Sequence, residues 1–395
     1  MNRTYPIALA LIVSGCATSP SMTPAGSNAS LVSERAARVY REAIVIDTHN
    51  DMPSKMIDDG YDADVRHTTG FGKDQGETDL PRLMESGITG VFMSAYIDPE
   101  KWTFRTPDQS WEQVQVYLDT IHAFVNRHPD RLLFATTAAQ IREAKQTGKV
   151  AVLIGVEGGH AIENSIDNLR ELHRRGVRYM TLTWNNGNEW AGANAGLNGT
   201  STGGLTDRGR EIVREMNRLG ILVDISHVSD STFFDAVATS TYPVIASHSS
   251  ARALNRHRRN LSDEQLRAVA RNGGVVNVNF YSAFIDSSFL ERSDALAGND
   301  AAIRALPRPP LSVLLDHFVH IIRVAGIDHV GLGSDFDGVG GLLPQGMDDV
   351  TRLPLIAQGL LDRGYSEADV KKVLGGNMLR VMERAIDRKN DDLND

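Results

Sequence analysis

The hydrophobic pattern along this chain changes period in a regular way. Short runs rich in Val, Ile and Leu recur with little polar alternation. Each is followed by a stretch whose apolar residues fall at i, i+3 and i+4. The runs are 44–51, 88–97, 150–158, 177–184, 222–227, 244–249, 274–280 and 329–336. Runs of this kind suit strands buried on both faces. The helical spacing predicts helices over 110–126, 138–146, 165–175, 207–219, 230–239, 262–271 and 312–324. Ser262, followed by Glu264 and Gln265, reads as a helix start, as does Asp167 ahead of Leu169 and Leu172. About eight strand–helix alternations imply right-handed parallel crossovers and an α/β fold, a closed (β/α)8 TIM-type barrel. The alternative is an open doubly wound sheet. That fold usually carries a Gly-rich phosphate turn after its first strand, where this chain has His49-Asn50-Asp51. Two long connections, 58–79 and 285–310, follow the first and seventh runs and are expected to wall the mouth of the barrel.

The first residues fall outside this rhythm. Arg3 precedes the apolar run 5–13, which is long enough for a signal peptide and too short to span a bilayer. The run ends in Val13-Ser14-Gly15-Cys16, which resembles the lipobox of bacterial lipoproteins, cut before a Cys that is then acylated. An ordinary secretory signal with an incidental Cys is the alternative. Cys16 is the one cysteine in 395 residues. That excludes a disulfide framework and any Cys-built zinc site. Residues 17–30 carry no charge and are rich in Ser, Thr, Pro and Ala, the composition of a flexible tether. The expected organisation is a lipoprotein signal peptide over 1–15, a tether over 16–30 and a single domain over 31–395. The lipobox implies anchoring through Cys16 on the periplasmic side of the cell envelope. Ala17 after it points to the outer membrane of a Gram-negative bacterium. No later segment approaches 18 uninterrupted apolar residues.

Composition narrows the class. With 41% hydrophobic and 23% charged residues, the chain is globular rather than disordered. A net charge of −9 lacks the basic footprint of a nucleic-acid binder.

The candidate chemistry is positional. His49 and Asp51 close the first run and Glu157 the third. His227 closes the fifth, His248 the sixth and Asp335 the eighth. Barrel chemistry is carried at the C-terminal ends of strands, and all six residues map there. His49 and Asp51 are two apart, so a strand points both to one face. Three imidazoles and three carboxylates are costly to desolvate as bare groups. A divalent metal pair resolves that cost, and N/O ligation without thiolate suits Zn²⁺, with Mn²⁺ or Fe²⁺ as other choices. The remaining histidines fall elsewhere. His122, His128, His173, His317 and His320 lie in helical patterns, and His329 begins its run. His67 and His257 are in loops, and His160 is a further candidate for lining the site.

At these residues the chain resembles the membrane dipeptidase (renal dipeptidase) family of zinc peptidases. The matching stretches are Val45-Ile46-Asp47-Thr48-His49-Asn50-Asp51, Gly155-Val156-Glu157-Gly158-Gly159-His160 and Asp224-Ile225-Ser226-His227. Further along come Ser247-His248-Ser249-Ser250-Ala251, Arg258-Arg259-Asn260, Asn279-Phe280-Tyr281 and Gly333-Ser334-Asp335-Phe336-Asp337-Gly338. The resemblance implies a (β/α)8 barrel with two Zn²⁺ per chain. It assigns His49 and Asp51 to one ion, His227 and His248 to the other, and Glu157 as the bridge. Asp335 would handle protons and Arg259 would take the substrate carboxylate, a task its planar guanidinium suits. Tyr281 is core or, as the family implies, part of the site. The implied activity is hydrolysis of free dipeptides, L-Xaa-L-Xaa and L-Xaa-D-Xaa, through a hydroxide bridging the metals.

One position departs from the family. Many members carry His at the end of the fourth strand, where this chain has Thr181-Leu182-Thr183-Trp184. Asn185, Asn186 or Asn188 then supplies a donor to the substrate, or Trp184 lines its side-chain pocket. Two other functions are weighed. One is a different binuclear metal amidohydrolase acting on a lactam, lactone or N-acyl amine. Many such barrels use H-x-H on the first strand and a Lys on the fourth, which 177–184 lacks. The other is a non-catalytic lipoprotein on a retired barrel. The helical patterns 353–363 and 370–386 pack on the barrel or on a second subunit, which leaves a homodimer open.

Overall fold

Parallel strands that curl until the second pairs with the fourth leave no edge, and this is how the sheet here ends. The computed structural model describes residues 32–97, 109–195 and 203–387. The expected signal peptide and tether, with Cys16, lie outside them. Nine strands run in chain order: β1 (Ile46–Asn50), β2 (Gly90–Tyr96), β3 (Leu132–Phe134), β4 (Val150–Glu157), β5 (Val177–Thr181), β6 (Leu222–Asp224), β7 (Ile245–Ala246), β8 (Val275–Val278) and β9 (Val330–Leu332). β1 pairs with both β2 and β9, and β2 pairs with β4 from Gly90↔Ala151 to Tyr96↔Glu157. The ring is therefore an eight-strand parallel barrel with helices between its strands. β3 stands outside the ring. It pairs with β4 at 150–152, on the edge that β5 takes from Ile154 onward.

The strands are shorter than the apolar runs that predict them. β7 keeps two residues of 244–249, and β6 stops at Asp224. The runs go on past the ladder because their last residues turn inward. His227 and Asp335 have φ of 66° and 64°, a left-handed backbone that no ladder residue adopts. Helix starts follow side-chain capping. Ser262 caps Asp263–Asn272 in a reciprocal box with Gln265. The helix expected to begin near Asp167 is capped two residues earlier, by Ser165. A helix over Glu34–Glu42, capped by Ser33, was not predicted. The connection 285–310 is not a plain loop, since it holds helices Ser287–Ala295 and Asp300–Arg304. No described helix is long and apolar enough to cross a membrane.

The end of the barrel away from the strand C-termini is filled and covered. Ile46, Phe92, Leu153, Leu222, Ile245 and Val275 form one apolar cluster with Met378, Leu379, Met382 and Ile386 of the last helical segment. Asn377 fastens that segment through its Nδ2, which donates to the carbonyls of Ile327 and Val330 at 2.7 and 2.8 Å. The helix Pro354–Asp362 buries Leu355, Ile356, Leu360 and Leu361 in the main core. Both patterns that offered a face to a second subunit thus bury it against their own chain.

Candidate active site

The six polar residues predicted at strand ends meet at the mouth. His49 lies in β1 and Asp51 directly follows it, Glu157 ends β4, and His227, His248 and Asp335 follow β6, β7 and β9. All six are buried. Glu157 sits between the imidazoles. Its Oε1 is 2.8 Å from His227 Nε2 and 3.4 Å from His248 Nε2, and its Oε2 is 3.4 Å from His49 Nε2. His49 Nε2 is also 3.3 Å from Asp51 Oδ2 and 4.0 Å from Asp335 Oδ1. The rings of His49 and His248 stack with centroids 3.8 Å apart. Gly338 closes over the carboxylates: a Cβ there would lie 2.3 Å from Asp51 Oδ2 and 2.4 Å from Asp335 Oδ1.

These donors fit a metal. His49 Nε2 is buried without a well-aligned hydrogen bond, although three carboxylates surround it. Nε2 of His227 faces Nε2 of His248 at 2.9 Å. The Nδ1 atoms are engaged elsewhere: His227 with Asn185 Oδ1 at 3.0 Å, His248 with Ser247 Oγ at 2.7 Å and His49 with Tyr179 Oη at 2.9 Å. Lone pairs are thereby turned toward one another and toward anionic oxygens, an arrangement a divalent cation stabilises. Two groupings, His49–Glu157–His248 and His49–Asp51–Asp335, hold candidate ligand atoms within 4.8 Å of one another.

The electrostatics follow from burial. It pushes the Asp335 carboxyl up to about 7, helped by the nearby charges of Asp51 and Glu157. Asn279 Nδ2 donates to Asp335 Oδ2 at 2.7 Å and orients it. Burial also brings His227 down to about 3 and His248 well below its ordinary value, so both rings are neutral, the form that binds metal. Burial opposes the charge of Glu157, but the imidazoles around it, His49 first, hold it well below the usual range.

The other predicted residues lie around the same cleft of about 410 Å³, which Trp184, Arg259 and Tyr281 line with five of the six, His49 lying behind them. Trp184 meets Tyr96 edge-on, ring centroids 5.2 Å apart. Arg259 is 4% exposed and forms no ion pair with a described residue. Its NH groups reach only neutral oxygens, Ser249 Oγ at 3.4 Å and the His248 carbonyl at 3.2 Å. Its guanidinium lies over the Phe284 ring at 5.3 Å, and Phe284 meets Tyr281 edge-on. Burial lowers Arg259 to about 10, still cationic at neutral pH. A buried cation with no ion-pair partner among the described residues suits an anionic ligand group.

Several expectations change. Neither long connection contributes a described lining residue. They brace the loop after β9 instead, the later one through the Pro309 carbonyl, which accepts from Gln345 N at 2.9 Å. Glu77 and the loop after β9 exchange hydrogen bonds, Glu77 N to Asp337 Oδ1 at 2.8 Å and Asp337 N to Glu77 Oε2 at 2.7 Å. His160 bonds the Gly187 carbonyl and does not line the cleft. Among the asparagines after Trp184, Asn185 alone fronts the cleft. Asn188 is spent on its own loop, donating to the Leu182 carbonyl and accepting from the Trp190 and Ala191 amides. Tyr96, Phe284, Tyr179 and Asn279 were not predicted as site residues. Alternation along β5 marks Tyr179 as sharing a face with Thr181, and Asn279 sits inside a stretch already singled out, so both carried a signal.

A family-wide sequence model described as membrane dipeptidase (peptidase family M19) matches residues 33–394. Solved structures agree. The probable dipeptidase PvdM from Pseudomonas aeruginosa superposes with a TM-score of 0.77 at 25% identity, over 90% of this chain and 98% of that one. A structure described as dipeptidase AC, a metallopeptidase, gives 0.74 at 28% identity, over 87% and 98%. A metallopeptidase from Rhodobacter sphaeroides, liganded with a phosphinate mimic of the dipeptide L-Ala-D-Ala, gives 0.73 at 27% identity, over 87% and 99%.

Proposed function

The chain belongs to the membrane dipeptidase family of metallopeptidases, and from that premise we propose that it hydrolyses free dipeptides, L-Xaa-L-Xaa and L-Xaa-D-Xaa, at a pair of zinc ions. The observation that carries the reading is Glu157, one oxygen turned to His49 and the other to His227 and His248. His49 and Asp51 would hold one ion and His227 and His248 the other, with Glu157 shared. When bound, such a pair supplies Lewis acidity to a peptide carbonyl and lowers the pKa of water toward neutrality.

The chain's own groups do the rest. Arg259 pairs with the substrate carboxylate through two parallel N–H bonds. Asp335, oriented by Asn279, takes a proton from the attacking water and delivers it to the leaving amine. Tyr281 and the Phe284 ring pack beside the anchored carboxylate, and Trp184 with Tyr96 forms an apolar wall for a substrate side chain. A site that reads a free carboxylate at a fixed reach from the proton-handling group measures length. The Rhodobacter relative's L-Ala-D-Ala mimic supports a D-residue at the second position. In this reading the enzyme is a lipoprotein held by acylated Cys16 on the periplasmic side of the outer membrane. Stable attachment takes more than one acyl chain.

The test is a panel of L,L and L,D dipeptides, with metal analysis on the same preparation. Cleavage within the panel at two zinc per chain is expected. A fully metallated enzyme that cleaves none overturns the reading. For the anchor, Cys16→Ser is expected to move the protein from the membrane fraction to the soluble periplasm; unchanged membrane retention overturns it.

A further inference from the structure

Each imidazole of the centre is held from behind by a different kind of group. His49 Nδ1 meets a phenol, Tyr179 Oη at 2.9 Å. His227 Nδ1 meets an amide oxygen, Asn185 Oδ1 at 3.0 Å. His248 Nδ1 meets Ser247 Oγ at 2.7 Å, and that hydroxyl donates to Asp224 Oδ2 at 2.6 Å. An amide oxygen can only accept, so Asn185 puts the His227 proton on Nδ1 and leaves the Nε2 lone pair toward Glu157 and His248. With His49 Nε2 turned to Asp51 and Glu157, its Nδ1–H is the donor to Tyr179.

These supports come from separate places. Tyr179 is in β5 and its ring lies over Gly155 of β4, where a Cβ would come within 1.9 Å of Cζ. Gly155 is the gap through which the phenol reaches His49. Asn185 sits at the rim beside Trp184, at the position where the chain departs from its family.

We propose that Tyr179 and Asn185 are positioning residues that govern retention of different ions: Tyr179 the ion at His49 and Asp51, Asn185 the ion at His227 and His248. This rests on the binuclear reading above and adds that the two ions are separately controlled. Partners behind metal-bound histidines fix ring orientation and tautomer, and removing one typically costs about 10–100-fold in affinity. Asn185 follows directly on Trp184, and its amide oxygen is committed to His227.

The experiment measures zinc dissociation constants by chelator competition, in two backgrounds that each disable one ion. In Asp51→Ala, Asn185→Leu is expected to weaken the remaining ion by about 10–100-fold, while Tyr179→Phe leaves it within about 2-fold. In His248→Ala the pattern reverses. Asn185→Asp, which keeps an acceptor for Nδ1–H, is expected to restore the lost affinity. Tyr179→Phe keeps the ring over Gly155, so thermal unfolding of the chelated protein is expected to stay near wild type. Both substitutions acting on the same ion, neither acting, or no rescue by Asn185→Asp each overturns the inference. Wild-type stoichiometry separates the two claims. Two zinc per chain with unresponsive variants sinks the inference alone, whereas fewer than two sinks the binuclear reading and the inference with it.

Discussion

The two ends of the barrel are made by the same strands and obey opposite rules. At the floor, Phe92, Leu153, Leu222 and Ile245 meet Met378, Met382 and Ile386 in an apolar cluster sealed by the last helical segment. At the mouth the barrel releases Asp51, Glu157, His227, His248 and Asp335 into a cleft, two of them from left-handed backbone. Such backbone costs on the order of 1–3 kcal/mol per residue, and buried unpaired polar atoms add to it. The floor supplies burial that the mouth spends. The lesson is that stability and chemistry are separated along the barrel axis, so substitutions at the two ends should differ in kind.

The largest effect is expected from Glu157→Gln. Losing the shared carboxylate should lower kcat/KM by on the order of 10³-fold, about 4 kcal/mol. Urea unfolding of the chelated protein should change by less than about 1 kcal/mol, since a buried charge is removed rather than stranded. A stability loss as large as a floor substitution would break the separation. Met382→Ala is the mirror test. It should cost about 2–5 kcal/mol of stability and leave kcat/KM per folded molecule within about 2-fold. A tenfold loss there would show that the floor sets the geometry of the mouth. Arg259→Met sharpens the view of the mouth by separating substrate anchoring from the metal centre. It should lower kcat/KM for dipeptides by about 10–100-fold, the worth of hydrogen bonds to a charged group, with zinc content unchanged. Loss of zinc would place Arg259 in the metal support instead.

The smallest effect belongs to neither end. Hydrogen bonds from Arg218 and Arg170 hold the Glu215 carboxyl near 2, against about 4.3 in an unfolded chain. A depressed folded value contributes stability above pH 4.3, which is lost as pH falls toward 2. With both arginine partners exposed to solvent, the contribution is about 1 kcal/mol or less. Glu215→Gln should therefore be slightly destabilised at pH 6 and should converge with wild type near pH 2 in paired urea melts. A constant difference across that range would assign the effect to packing.

The barrel was legible because its strands are buried on both faces and read as unbroken apolar runs. The ligand set was legible because residues at the ends of those runs have one place to go in a closed ring. β3 was not, since three residues beside the start of β4 carry no periodicity. The capping of Glu34–Glu42 by Ser33 was visible in type but lay in a charged stretch without an apolar run to mark it. Tyr179 and Asn185 show the deeper limit. Asn185 meets His227 across the neighbouring strands β5 and β6, and only closure of the ring brings Tyr179 to His49. The same holds for the long connections: length suggested walls, but their contacts make them braces.

The pairing of β1 with β9 has a consequence for how the molecule is made. Asp47 and Leu332 are neighbours in the sheet, and the cluster beneath them is completed at Ile386. Contacts that distant in sequence form late and slowly. A chain can assemble its strand–helix units one after another, yet the ring stays open until β9 joins β1, and its underside stays wet until the last helical segment docks. Truncation ahead of Asn377 would remove little mass and would leave every strand in place above an apolar underside facing water.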